Sequence, residues 1–255
     1  MIQIIMSYPP STSCGEIGLI LHHILNNILP FKTDGTFVEV GANDGKTGSF
    51  TYNLASIGWN GLNFEPVPRL YEKCCANHSN HTNVKSFQIG IGESSCETTI
   101  IDADTLSTID TDTMKTYSQT PQFASYFTNN NQYHTIKIER LDTMLEQNNI
   151  TNIDLLVLDV EGYEENVLKG FTIDKYLPKI FIIEIADQYE YFMNNPKIVN
   201  RYTVLRNYFK EHNYVLLVND IVDNVYVHMD TYKTLNKDFV LNIKKMVNYP
   251  QYSHP

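Results

Sequence analysis

The apolar run Thr36-Phe37-Val38-Glu39-Val40 stops at Gly41, and Gly45 follows four residues later. A short run rich in β-branched and aromatic residues, cut off by glycines and followed by a helix-compatible stretch, is a strand turning tightly into a helix. In α/β proteins that turn cradles a nucleotide or a comparable polar cofactor. The rest of the chain repeats the alternation. Ile17, Ile20, Leu21, Ile24, Leu25 and Ile28 recur at helical spacing within 14–29, and Pro30 ends them. A helix is expected over 46–57, a strand over 61–66, a helix over 69–78 and a strand over 84–91. A short strand and a helix follow over 134–149, then the most apolar strand at 153–162, and then a short helix beginning near Glu164. A buried strand over 179–186, a helix over 197–212 and the antiparallel pair "YVLLVND" and "NVYVHMD" close the pattern. Strands alternating with helices imply an α/β fold with a mainly parallel sheet and right-handed crossovers. Residues 93–133 break the rhythm: rich in Thr, Ser, Asp and Asn, without periodicity, they read as a long polar loop.

A chain of 255 residues suits one such domain over 36–240, with an N-terminal arm and helix over 1–35 and a C-terminal tail over 241–255. The formal charge of −10 counts against a nucleic-acid backbone as partner. The start "MIQIIMSYPPSTS" has neither a basic region nor a long apolar core, so no secretory signal and no membrane partner are expected. Cys14, Cys74, Cys75 and Cys96 match neither a disulfide framework nor a zinc pattern. Free thiols fit a reducing, cytoplasmic setting. A homodimer is compatible with this composition.

Ligands in open parallel sheets bind beyond the carboxyl ends of the strands. Glu39, Glu65, Asp159, Glu161 and Glu184 stand at those ends. The first loop reads E-x-G-x-x-x-G, with Asn43 where a dinucleotide site wants its second glycine. A carboxylate two residues before Gly41 would repel a pyrophosphate but attract the ammonium of an amino acid. S-adenosylmethionine carries such an ammonium and a sulfonium as well. An NAD-dependent oxidoreductase is the alternative reading, and a non-catalytic interaction module is another.

The blocks "FVEVGANDG", "GWNGLNFEPVPRLYEK", "IERLDTML", "IDLLVLDVEGYEENVLKG" and "PKIFIIE" resemble, in this order, the FkbM-type family of S-adenosylmethionine-dependent methyltransferases. The resemblance spans roughly residues 36–230, and "DVEGYE" with "VLKG" is its most specific part. It implies a class I methyltransferase (Rossmann-like) sheet, helices on both faces, and an antiparallel last strand. It also implies methyl transfer to oxygen, often a hydroxyl of a sugar or of a glycosylated small molecule. The polar insert is a departure from the family pattern and bears on acceptor identity.

On this reading Glu39, Gly41, Asn43 and Gly45 hold the amino-acid end of the cofactor, Glu65 its ribose, and Asp159 the side nearest the reaction, with Gly90 a further cofactor contact. Methyl transfer to an alcohol needs alignment and removal of the hydroxyl proton. Asp159, Glu161 and Glu184 are the candidate bases, and His134 is a candidate of the usual type, with His228 behind it. Alternatively Asp159 and Glu184 bind a magnesium ion that acidifies the hydroxyl, or Glu161 merely caps the short helix after it. Ser107, Thr108, Tyr163 and Tyr189 are candidate acceptor contacts, and Trp59 is expected to pack the turn into the second strand.

Overall fold

The computed structural model describes residues 6–13, 15–128 and 130–247. In chain order the strands are β1 (Thr36–Val40), β2 (Asn60–Phe64), β3 (Val84–Phe87), β4 (Gly90–Ile91), β5 (Cys96–Ile101), β6 (Tyr133–Glu139), β7 (Leu155–Leu158), β8 (Ile180–Glu184), β9 (Tyr214–Asn219) and β10 (Asp223–His228). Seven of them form one sheet in the order β3-β2-β1-β7-β8-β10-β9. From β3 to β8 all pairings are parallel, and β10 inserts antiparallel between β8 and β9. This is the class I methyltransferase sheet that the sequence led us to expect. The order reverses beside β1, where β2 lies on one side and β7 on the other, so the switch point falls at the end of the glycine loop.

Period-two alternation splits the strands between two cores. Leu156 and Leu158 of β7 point into one, and Leu155 and Val157 into the other. The helices Leu141–Gln147, Glu164–Lys169 and Pro196–Glu211 bury their apolar stripes in the first core through residues such as Leu145, Val167 and Leu205. The helix Glu16–Ile28 fills the second with Ile17, Leu21, Ile24 and Leu25, joined by Ile243 from the helix Lys237–Lys245. The boundaries drawn at 35 and 240 therefore do not separate packing units. The latter falls inside a helix, and both terminal helices cover the same sheet face as Phe37 and Trp59. Cys14 lies outside the described residues.

Three sequence expectations need correction. The helix expected over 46–57 is confined to Tyr52–Ser56. Asp44 accepts the N–H groups of Lys46 and Thr47, at 2.9 and 2.6 Å, and this turn withholds both residues from a helix. The strand expected over 84–91 divides: β3 joins the main sheet, while β4 turns away and pairs with β6. The insert is not a structureless loop. Its β5, "CETTII", pairs antiparallel with β6 to make a three-stranded sheet ordered β4-β6-β5. Next come a 3-10 turn at Asp104–Leu106, the helix Thr111–Gln119 and a second 3-10 turn at Ala124–Tyr126. The Asp110 side chain caps that helix by accepting the Thr113 N–H at 2.7 Å.

The opposite end of the sheet is anchored by a buried charge. The Asp154 carboxylate, 1% exposed, accepts the Thr36 N–H at the start of β1 and ion-pairs with Lys32 at 2.5 Å and Lys179 at 2.9 Å. Burial alone would raise its pKa, but these partners hold it below the ordinary carboxylate range. Trp59, fully buried, donates its indole N–H to the Lys32 carbonyl and stacks where Gly35 leaves no side chain, as the sequence suggested. Asp154→Ala should cost roughly 2–3 kcal/mol in urea unfolding, less than a fully buried pair because both lysines reach solvent. A loss under about 0.5 kcal/mol would show that this anchor does not set the β1–β7 pairing.

Candidate functional site

The glycine loop owes its shape to close approaches. Gly41, at φ +86°, lies so near β7 that a Cβ would stand 1.7 Å from the Asp159 carbonyl oxygen. Asn43 adopts a left-handed conformation, φ +50°, that its short polar side chain tolerates. Its N–H is accepted by Glu65 at 2.8 Å, while the other Glu65 oxygen accepts the Val67 N–H, also at 2.8 Å. Glu65 thus ties the end of β2 to the loop after β1. Gly45 serves packing: a Cβ there would press 2.6 Å from the Cys74 sulfur and 2.9 Å from the His78 ring. Gly90 is likewise closed in by Ile138, 2.5 Å from where its Cβ would be. Glu39 is buried and accepts Thr51 at 2.7 Å and Ser49 at 3.1 and 3.2 Å.

A cavity of about 210 Å³ opens beyond the carboxyl ends of β1, β2 and β7. Glu39, Gly41, Asn43, Glu65, Gly90, Asp159 and Glu161 all border it, whereas Gly45 does not. Among the described residues five carboxylates line it (Glu39, Glu65, Asp104, Asp159 and Glu161) and no Lys, Arg or His does. Burial raises the pKa of Glu39 to about 7 against the hydroxyls that accompany it, and raises Glu65 to about 7 against its two N–H partners.

Beside the cavity Asp159, Glu161 and Glu184 converge, each offering an oxygen within 4.8 Å of the others. Burial lifts Asp159 to about 6, and its hydrogen bond to Glu184 offsets part of the rise. Two carboxyls can share such a bond only if a proton lies between them. Glu161 and Glu184 are pushed well above the ordinary range, first by burial and then by their like-charged neighbours. Asp223 stands opposite Glu184 in the sheet and is raised for the same reasons. Glu161 itself has φ +54°, followed by Gly162 at +95°. A non-glycine residue held there is backbone strain maintained by its surroundings. Those surroundings are explicit. Thr108 donates to the Glu161 carbonyl at 2.7 Å, and Tyr117 donates to its carboxylate. The helix-capping role open to Glu161 is not taken up: the helix Glu164–Lys169 has no side-chain cap, and Glu164 Oε1 instead braces the turn before it by accepting the N–H groups of Val160 and Gly162.

The insert supplies one wall of this arrangement. Asp104, Thr105, Ser107 and Ile109 border the cavity, and Tyr163 faces them. Arg69 clasps the insert to the domain through Asp102, at 2.6 and 2.7 Å, and through Asp104 at 3.1 Å. Gly162 admits the insert helix, because a Cβ there would meet Thr113 at 2.2 Å and Arg201 at 2.7 Å. Thr108 is used up in anchoring, and Tyr189 packs against Tyr191 and Phe192. His134 lies in β6 beside Asp102, 3.7 Å away, and His228 caps the helix Met229–Thr234. Neither histidine borders the cavity. Sequence reasoning missed Ser49 and Thr51, whose signal was their place just after the glycine loop. It also missed Tyr117, for which nothing in its polar surroundings stood out.

A parallel sheet closed by an inserted antiparallel strand, with an acid-lined cleft at its switch point, is a methyltransferase architecture. The methyltransferase FkbM domain profile matches residues 39–216, and the chain belongs to that family. No curated protein matches it at a significant level. Among solved structures it is similar to the methyltransferase FkbM of Methylobacillus flagellatus KT, at 15% identity over 78% of this chain and 45% of that one, TM-score 0.48. This chain therefore spans less than half of that relative's length. It is also similar to a precorrin-6y C5,15-methyltransferase of Geobacter metallireducens GS-15, at 9% identity, 82% and 87% coverage and TM-score 0.44. A third is the fibrillarin pre-rRNA processing protein of Methanococcus jannaschii, at 14% identity, 87% and 77% coverage and TM-score 0.43. Among the described residues no helix is long and apolar enough to cross a membrane.

The raised carboxyls make the fold sensitive to alkali. Glu39 and Glu65 sit at about 7 when folded against an ordinary 4.5, and Asp159 at about 6 against 3.8. Between those limits the folded chain keeps protons that the unfolded chain has released. Its stability is therefore highest below about pH 4.5 for these groups and falls as pH rises through 6 and 7. Scanning calorimetry of the ligand-free protein should show Tm dropping by roughly 5 °C or more from pH 5 to 8, with a shallower slope in Glu39→Gln. A flat or rising profile would contradict the burial of these acids.

Proposed function

We propose that the protein is an S-adenosylmethionine-dependent O-methyltransferase acting on a hydroxyl of a sugar or glycan. The carrying observation is the charge of the cleft: among the described residues five carboxylates line it, without one basic side chain. Such a site suits a cofactor with an ammonium and a sulfonium, and it repels the pyrophosphate of a dinucleotide. Family membership supports the same cofactor. Two cysteines, Cys75 and Cys96, are exposed and unpaired, which supports work in a reducing compartment such as the cytoplasm.

In this reading the Glu39 carboxylate receives the ammonium of the cofactor beside the loop Gly41–Asn43, whose N–H groups are already given to Phe64 and Glu65. Glu65, still holding two N–H groups, turns its remaining lone pairs to the ribose. The bound cofactor supplies a methyl group already activated by the sulfonium. What remains for the chain is to align the acceptor oxygen and take its proton. Glu161 is the residue we assign to that task. Tyr117 occupies its Oε2, leaving Oε1 to receive the hydroxyl proton. Asp159 and Glu184 share a proton beside it and keep the neighbouring charge low while Glu161 is ionised. The insert residues Thr105, Ser107 and Ile109, with Tyr163, bound the acceptor side.

In a second reading, favoured by the convergence of three carboxylates within 4.8 Å, Asp159 and Glu184 with Glu161 hold a magnesium ion in place of the shared proton. All-oxygen, anionic donors suit that ion, which would lower the pKa of the acceptor hydroxyl.

The test is transfer of radiolabelled methyl from S-adenosylmethionine to a panel of sugars and glycosides, with NAD binding as the control. Transfer to a hydroxyl is expected. NAD binding, or a folded protein that transfers to no acceptor and binds no cofactor, would refute the assignment. Glu161→Gln should lower turnover by roughly 10²- to 10⁴-fold while changing S-adenosylhomocysteine affinity less than about threefold. Turnover lost in EDTA and restored by magnesium would favour the metal reading, and indifference to both would remove it.

A further inference from the structure

We propose that the cleft recognises the sulfonium charge itself, so that it binds S-adenosylmethionine well ahead of its demethylated product, S-adenosylhomocysteine. This rests on the cofactor reading above and goes further, because it concerns product release. The two molecules differ by one methyl group and one positive charge. In the transfer, the carbon–sulfur bond breaks with its electron pair left on sulfur, the oxygen–carbon bond forms, and the hydroxyl proton passes to a carboxylate. The product sulfur is therefore neutral.

The sulfur is bonded between the amino-acid side chain and the ribose, so in any pose it lies between the groups that hold those two parts. Here both holding groups are acidic, Glu39 and Glu65, and both border the same cavity as Asp159 and Glu161. Glu184 brings another carboxylate oxygen within 4.8 Å of those of Asp159 and Glu161. Two arginines packed around this region do not compensate. Arg69 is committed to Asp102 and Asp104, Arg201 to Asp110, and neither borders the cavity. The cofactor's ammonium and carboxylate cancel, leaving a net charge of +1 with the sulfonium and zero without it. One carboxylate about 10 Å away at an effective dielectric constant near 20 is already worth about tenfold in affinity, and several surround this position. The extra methyl adds only the small apolar term of one carbon.

The experiment is calorimetric titration of the purified protein at pH 8 in buffer containing EDTA, with three ligands. S-adenosylmethionine is the natural cation. Sinefungin carries an amine in place of the methylsulfonium, and so keeps the charge without the sulfur. S-adenosylhomocysteine lacks the charge. We expect both cations to bind at least about tenfold more tightly than S-adenosylhomocysteine. Asp159→Asn and Glu161→Gln should narrow the gap by weakening the cations while leaving S-adenosylhomocysteine in place. If all three bind and S-adenosylhomocysteine is equal or tighter, the inference is wrong while the cofactor assignment survives. If S-adenosylmethionine is tight but sinefungin is as weak as the product, the methyl group and not the charge is recognised, and the inference also fails. If none binds, the cofactor reading falls and takes this inference with it. The ligand series on the unaltered protein decides among these outcomes even if a variant does not fold.

Discussion

Carboxylates crowded at the carboxyl ends of parallel strands are the constraint around which this molecule is organised. Glu39, Glu65, Asp159 and Glu184 each end or follow a strand of the same sheet, and the parallel pairing brings those ends together. Burial and mutual repulsion make it costly to ionise them all together. The structure meets that cost in distinct ways. Glu39 takes two hydroxyls, Glu65 takes two backbone N–H groups, Asp159 and Glu184 share a hydrogen bond, and Glu161 takes a phenol. A cation in the cleft would meet the same cost at once.

The remainder of the fold holds these acids in place. At the far end of the sheet, Asp154 links the start of β1 to Lys32 and Lys179. At the near end, Gly41 lets β1 and β7 come so close that a side chain would strike the Asp159 carbonyl. From above, the insert presses on the turn after β7: Thr108 and Tyr117 hold Glu161 in its left-handed conformation, and Arg69 ties the insert down. What reads as an interruption of the family pattern is part of the wall of the site.

The main sheet was legible because its signals are local. "TFVEV", "IDLLVL" and "KIFIIE" are apolar on both faces, as buried parallel strands must be. The acids at their ends, Glu39, Asp159 and Glu184, were legible for the same reason: each ends an apolar run. The elements that misled were governed by distant partners. β5 is a Thr-rich strand that exists because β6 lies opposite it, and β4 leaves the line of β3 for the same partner. The helix expected at 46 gave way to Asp44, whose side chain competed for the backbone N–H groups more effectively than helix propensity could.

By itself the sequence determined the alternation of strand and helix, the glycine loop, the net negative charge and the acids at successive strand ends. These depend on side-chain period and on single residues, which neighbours in the chain display. Tertiary structure decided what the acids do to one another. Glu161 has perturbed chemistry because the fold buries it and sets Asp159 and Glu164 beside it, while the Tyr117 phenol that donates to it comes from 44 residues away along the chain. His134 and His228 lie off the cavity for a matching reason: a histidine acts where the fold puts it, whatever its intrinsic pKa. Electrostatic coupling depends on distance in space and on exclusion of water, and neither is written in the order of residues.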